Sequence, residues 1–122
     1  MDILNVLEKA TQINSVSGSE NEIRKFISDN VKKYCDELSV DAMGNLIAHK
    51  KGSGKKIMFA AHMDEIGIIV TDIADKGFVR FSSVGGLNLR NLVHLSVRFA
   101  TGVEGVIGAE AESFTDKQAI SQ

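Results

Sequence analysis

"KKIMFAAHMDEIGIIV", residues 55–70, carries the decision about the fold. Ile57 to Ala61 is an unbroken apolar run, His62, Asp64 and Glu65 interrupt it, and apolar sequence resumes at Ile66. A run without polar alternation predicts a strand covered on both faces, as at the centre of a sheet flanked by helices. His62 then falls at the carboxyl end of that strand. In open α/β sheets ligands gather at this edge, because loops there are free to carry chemistry while the sheet keeps them rigid.

Neutral imidazole is a good ligand for zinc and related divalent ions when its ring is held in one tautomer. A carboxylate that accepts the other ring N–H does this and raises the basicity of the ligating nitrogen. Residues two apart in extended backbone project to the same side, so His62-x-Asp64 supplies a ligand and its orienter together. Glu65 turns away, to a helix end or a water. The same pattern also describes a hydrogen-bonded histidine closing a strand end. Local spacing leaves both readings open.

Upstream the period is helical. Ile3, Leu4, Val6, Leu7, Ala10 and Ile13 share one face over residues 2–13, with Asp2 as N-cap. "SVSGSENE" breaks the pattern, and Ser19 with Glu22 forms a Ser-x-x-Glu capping box for a second helix. Ile23, Phe26, Ile27, Val31 and Tyr34 line that helix. From Glu37 the period becomes two: Leu38 and Val40 alternate with polar residues, "DAMGN" turns, and residues 46–50 return. "KKGSGKK" is a second turn; it is not a phosphate loop, because His49 stands where the first glycine is required and Lys56 where Ser or Thr is.

Downstream the character is β. Residues 66–73 and 78–81 flank "ADKG", residues 95–100 and 103–109 flank "TG", and "SSVGGLNLRNLV" bends the chain between them. Short glycine-punctuated strands at this spacing predict a small barrel or sandwich. The predicted fold class is therefore α/β, a mixed sheet with helices, plus an inserted and incomplete small β-barrel domain. The corresponding division is residues 1–65, residues 66–110, and a polar tail over 111–122 with a weak helical pattern after Thr115.

Composition excludes several alternatives. The 122 residues suffice for one modest domain or part of a larger one. Fourteen basic against sixteen acidic side chains, with no basic block, argue against nucleic acid and anionic membrane surfaces. The apolar runs are too short to span a bilayer, and "MDILNVLEKA" is not a signal peptide. Cys35 is alone, so no internal disulfide forms and a reducing compartment, the cytoplasm, is expected. There is no Gly-x-Ser-x-Gly elbow, and Cys35 has no evident activating partner. No carboxylate pair is singled out for glycoside hydrolysis. His49 and His94 have no spacing that pairs them with His62, and read as surface or strand-partner histidines. Asp72, Asp75 and Glu104 fall at turns or strand edges, where acidic residues are solvated.

"AAHMDEIGIIV" resembles the first metal-binding motif of the glutamyl aminopeptidase family of metallopeptidases. These are the tetrahedral or deblocking aminopeptidases, some of whose members carry the label cellulase or endoglucanase. "SVSGSENEIRKFI" is similar to the segment leading into the family's second helix, and "DAMGNLIAHKKG" to its Asp-x-x-Gly-Asn hairpin. "SSVGGLNLRNLVHLSVRF" and "GVIGAE" resemble strands of its inserted barrel. The resemblance implies that His62 is a terminal ligand of one ion in a site of two divalent metals, zinc or cobalt, and that Asp64 is its partner beyond the ligand shell. It further implies an aminopeptidase acting on peptides, a glutamate as general base, and a large homo-oligomer. Leu87 departs from the aromatic residue usual after the glycine pair, and "AEAESFTDKQ" lacks the family's prolines. The bridging aspartate, glutamate pair, further acidic ligand and last histidine of the family follow its barrel and have no counterpart in these 122 residues. The expectation is an N-terminal portion that is inactive alone, since a catalytic zinc needs about three protein ligands. The rival expectation is a non-catalytic β-barrel interaction module, whose open strand edges seek partners.

Overall fold

The computed structural model describes residues 2–109, which divide after Gly85 into two compact units. Among the described residues two α-helices accompany three separate two-stranded antiparallel sheets, a mixed α/β architecture.

In the first unit α1 spans Ile3–Ala10. Asp2 caps it as expected, its carboxylate accepting from the backbone N–H groups of Leu4 (3.1 Å) and Asn5 (3.5 Å). Regular helix stops before the predicted Ile13: Gln12 and Ile13 donate to Lys9 and Ala10, the tighter three-residue spacing of a closing turn. The second helix, α2, covers Asn21–Val31 and continues into a 3₁₀ turn, Lys32–Tyr34. Ile23 on its inner face is 5% exposed. The predicted Ser19–Glu22 capping box does not form. The helix starts one residue late for it, with Glu20 as N-cap, and the Glu20 carboxylate instead accepts from the Gly18 N–H at 2.6 Å.

Strands β1 (Glu37–Val40) and β2 (Leu46–His49) pair from Glu37↔His49 to Val40↔Leu46 around the predicted "DAMGN" turn. Asp41 organises that turn: its carboxylate accepts from the Met43 and Asn45 backbone N–H groups at 2.9 Å each and from the Asn45 amide at 2.8 Å. Gly44, at φ +87, supplies the left-handed residue. Arg24 of α2 donates through Nε to the Gly44 carbonyl at 2.7 Å and ties the hairpin to the helix. Strands β3 (Gly67–Ile73) and β4 (Val79–Val84) form the second predicted hairpin, with a register shift between Val70 and Asp72.

The segment Ile57–Ala61 contradicts its prediction. It forms no strand, and Ile57, Met58 and Phe59 are 79, 87 and 94% exposed. A doubly covered strand needs a hydrogen-bonding neighbour at its edges and a layer over each face. No strand among the described residues pairs with it.

In the second unit Asn88 caps a 3₁₀ turn, Leu89–Leu92, by accepting from the Arg90 N–H. Strands β5 (Ser96–Arg98) and β6 (Glu104–Val106) pair around the predicted turn, where Gly102 sits at φ +86. Ile107, 6% exposed, is the buried apolar residue here, and its carbonyl accepts from the His94 N–H at 2.9 Å. The hairpins do not join into a closed barrel among the described residues. The weak helical pattern after Thr115 lies outside the described residues.

Candidate metal-ligand corner

His62, Asp64 and Glu65 are held by a segment fifty residues earlier. Val16 and Glu65 form an isolated parallel β-bridge. The Glu65 N–H donates to the Ser15 carbonyl at 2.9 Å, and the Glu65 carboxylate accepts the Ser15 N–H at 2.9 Å. A helix end or a water was expected for Glu65; its carboxylate takes this backbone amide instead. Ser15 is 5% exposed, so its N–H needs such an acceptor. Immediately beyond, the Ser17 hydroxyl donates to Asp64 Oδ2 at 2.5 Å.

The other Asp64 oxygen, Oδ1, lies 3.2 Å from His62 Nδ1, and the Asp64 backbone carbonyl lies closer, at 2.9 Å. Both partners are acceptors, so Nδ1 must carry the proton of the neutral ring, which leaves Nε2 with its lone pair. The His62 side chain is 85% exposed, so that lone pair is accessible. Asp64 stays ionised. The Ser17 hydroxyl first, then the residue's own backbone N–H and His62, hold its carboxyl below the ordinary 3.8. A cleft of about 380 Å³ adjoins these groups, lined by Ile23, Phe26 and Ile27 of α2 together with His62, Asp64 and Glu65.

The arrangement suits one corner of a metal site: a tautomer-fixed imidazole with an ionised carboxylate behind it. No group of three or more His, Cys, Asp or Glu side chains able to hold an ion gathers among the described residues. His49 ends β2 and faces Glu37, Nδ1 to Oε2 3.1 Å, the strand-partner role expected of it. His94 is exposed at the unusual φ of 71°. Asp72 is opposite Arg80 in the β3–β4 ladder, and Glu104 lies 3.4 Å from Arg98. The sequence reading missed Ser15, Val16 and Ser17. Their signal was present in "SVS": two hydroxyl residues alternating with an apolar one just before a glycine turn.

The M42 glutamyl aminopeptidase family model matches residues 44–122, which include His62 and Asp64. This chain belongs to the M42 glutamyl aminopeptidase family. The match runs past Ala109, through the stretch whose missing prolines set it apart. A protein of Acetivibrio thermocellus named "Putative aminopeptidase" is 54% identical over 106 residues, covering 87% of this chain and 32% of its own. Among solved structures, an endoglucanase from Thermotoga maritima aligns with a TM-score of 0.79 at 40% identity, over 85% of this chain and 34% of that one. The TET1 peptidase of Pyrococcus horikoshii, which can assemble into a tetrahedron or a large octahedral shell, aligns at 0.75 and 39% identity, over 95% and 36%. The chain spans about a third of the length of the curated relatives it matches.

Proposed function

We propose that this M42 chain contributes a metal-ligand corner to a divalent-metal-dependent aminopeptidase that removes N-terminal residues from peptides. The observation that carries this is the His62 ring itself: Nδ1 faces two acceptors, which leaves an exposed Nε2 lone pair for an ion. His62 is the ligand. Asp64 keeps the ring in place and its negative charge strengthens the ligating nitrogen. A pair of divalent ions of the zinc or cobalt type supplies, when bound, Lewis acidity toward the peptide carbonyl. The remaining ligands and the glutamate general base belong to residues outside those described, so residues 2–109 by themselves do not complete the reaction.

In this proposal residues 1–65 belong to the catalytic domain, residues 66–110 to an inserted β-barrel, and 111–122 to the chain beyond it. Family membership and the assembling TET1 peptidase support a homo-oligomer for the whole protein. The lone Cys35 supports a cytoplasmic setting. No helix among the described residues is long and apolar enough to cross a membrane. Peptidase chemistry is favoured over the glycosidase chemistry that the endoglucanase name evokes, because both carboxylates at this corner are already engaged. Asp64 is bonded to Ser17 and His62, and Glu65 to the Ser15 N–H.

The test is His62→Ala and Asp64→Ala in the full-length protein, read by metal content and by release of N-terminal residues from peptides. His62→Ala abolishes both, and Asp64→Ala lowers them by about 10- to 100-fold. Wild-type metal content and activity in His62→Ala exclude the reading.

A further inference from the structure

Ser17 stands outside the pair that the sequence singles out, yet it is the group that reaches Asp64 from another part of the chain. Its position is fixed on both sides. On one side Val16 is bridged to Glu65, with the two backbone and carboxylate bonds of Ser15 and Glu65 at 2.9 Å each. On the other side the Ser19 N–H donates to the Val16 carbonyl at 2.8 Å, closing a four-residue turn in which Ser17 and Gly18 are the central residues. Gly18, at φ +90, occupies the third position, where a turn of this kind requires a left-handed residue. The hydroxyl at the tip is therefore delivered by a rigid backbone, and its bond to Asp64 Oδ2, at 2.5 Å, is a short one to an ionised acceptor.

We infer that Ser17 is a positioning residue for the metal corner: its hydroxyl pins one oxygen of Asp64 so that the other addresses His62 Nδ1. Resting on the proposed ligand role of His62, the inference adds a specific tether to it. Without the tether the Asp64 carboxylate is a half-exposed side chain free to rotate about χ1 and χ2. The Asp64 carbonyl still accepts from Nδ1, so the ring keeps its tautomer. What it loses is the fixed negative charge beside it. That loss predicts a weaker ligand with an intact fold. Ser17 is exposed, so its hydroxyl can be removed without opening a core.

The experiment compares wild type, Ser17→Ala, Ser17→Thr, Asp64→Ala and His62→Ala in the full-length protein. One arm records the ¹⁵N imidazole spectrum of the metal-free protein; the other titrates cobalt(II) followed by its visible absorption. Ser17→Ala moves the His62 Nδ1 resonance from the wild-type position toward that of Asp64→Ala and weakens cobalt binding by about tenfold, the low end for a group acting through a ligand. Ser17→Thr, which retains the hydroxyl, restores both. An unmoved Nδ1 resonance in Ser17→Ala overturns the inference, as does failure of Ser17→Thr to restore what Ser17→Ala loses. If His62→Ala binds cobalt like wild type, the ligand reading fails instead, and the spectral arm alone decides whether Ser17 tethers Asp64.

Discussion

Replacing Gly67 by alanine probes the bridge that carries the proposed metal-ligand corner. A Cβ at Gly67 would run into Val16 Cγ2, and would lie 2.9 Å from Cγ1 and 3.3 Å from Cβ. Rotating Val16 gives incomplete relief, because its Cβ also lies 3.3 Å away and a β-branched side chain is restricted at χ1. Backbone must therefore move, and the backbone in question is the Val16–Glu65 bridge. Overpacking of this kind costs about 1–3 kcal/mol. In open space the same change would act the other way, since alanine in a strand is more favourable than glycine by about 0.5–1 kcal/mol. The sign alone is thus informative. Hydrogen exchange of the Glu65 amide, which donates to the Ser15 carbonyl, reads the local opening. Its protection falls by about 5- to 140-fold in Gly67→Ala, taking 1.4 kcal/mol per factor of ten. Val16→Ala removes both Cγ atoms, so Gly67→Ala costs at least about 1 kcal/mol less in that background, a coupling expected of residues in contact. Unchanged Glu65 protection in Gly67→Ala, or an equal cost in both backgrounds, refutes the reasoning.

Two further outcomes follow from the hairpin beside α2. Asp41 is held below its ordinary 3.8, first by the Asn45 side-chain amide and then by the backbone N–H groups of the turn. Its folded value is depressed, so its stabilisation of the β1–β2 turn is complete above about pH 4 and is lost as pH falls through the folded value; Asn45→Ala raises the Asp41 titration midpoint measured by NMR. Arg24→Lys cannot reproduce the bonds to the Gly44 carbonyl and to Asn21 Oδ1, both 2.7 Å, and lowers stability by about 1–2 kcal/mol in urea denaturation.

Elements whose signals are local were legible in the sequence. Asp2 had only to find N–H groups two and three residues ahead, and the "DAMGN", "ADKG" and "TG" turns carry their own φ requirements in Gly44, Gly77 and Gly102. The approach of Asp64 to His62 was legible for the same reason. What failed depends on partners elsewhere. The apolar run Ile57–Ala61 states a need for burial, not the means: three exposed side chains of this size leave roughly 4–9 kcal/mol of transfer free energy unused. The alternation in "SVS" marks an extended stretch but does not name Glu65 as its partner, because parallel pairing joins segments distant in sequence and has no turn signature of its own. The capping box failed on a competition. Glu20 has an oxygen within reach of the Gly18 N–H, and that bond begins the chain's entry into α2 one residue later than the Ser-x-x-Glu pattern requires.

Two acceptors on one ring nitrogen divide the work at residue 64 in a way that spacing alone does not disclose. The nearer acceptor is the backbone carbonyl, 2.9 Å from Nδ1, and any residue type at position 64 would present it. Tautomer choice is therefore built into the turn of the chain. The carboxylate, at 3.2 Å, adds what a carbonyl lacks, a full negative charge that favours positive charge on the ring and so strengthens Nε2 as a donor to a cation. That charge is useful only if it stays both ionised and aimed. Ser17 serves both needs, because a hydrogen bond to the charged form lowers the carboxyl pKa while it removes the side chain's freedom. An aspartate here thus contributes charge more than reach, and the serine that holds it comes from the segment bridged to the motif.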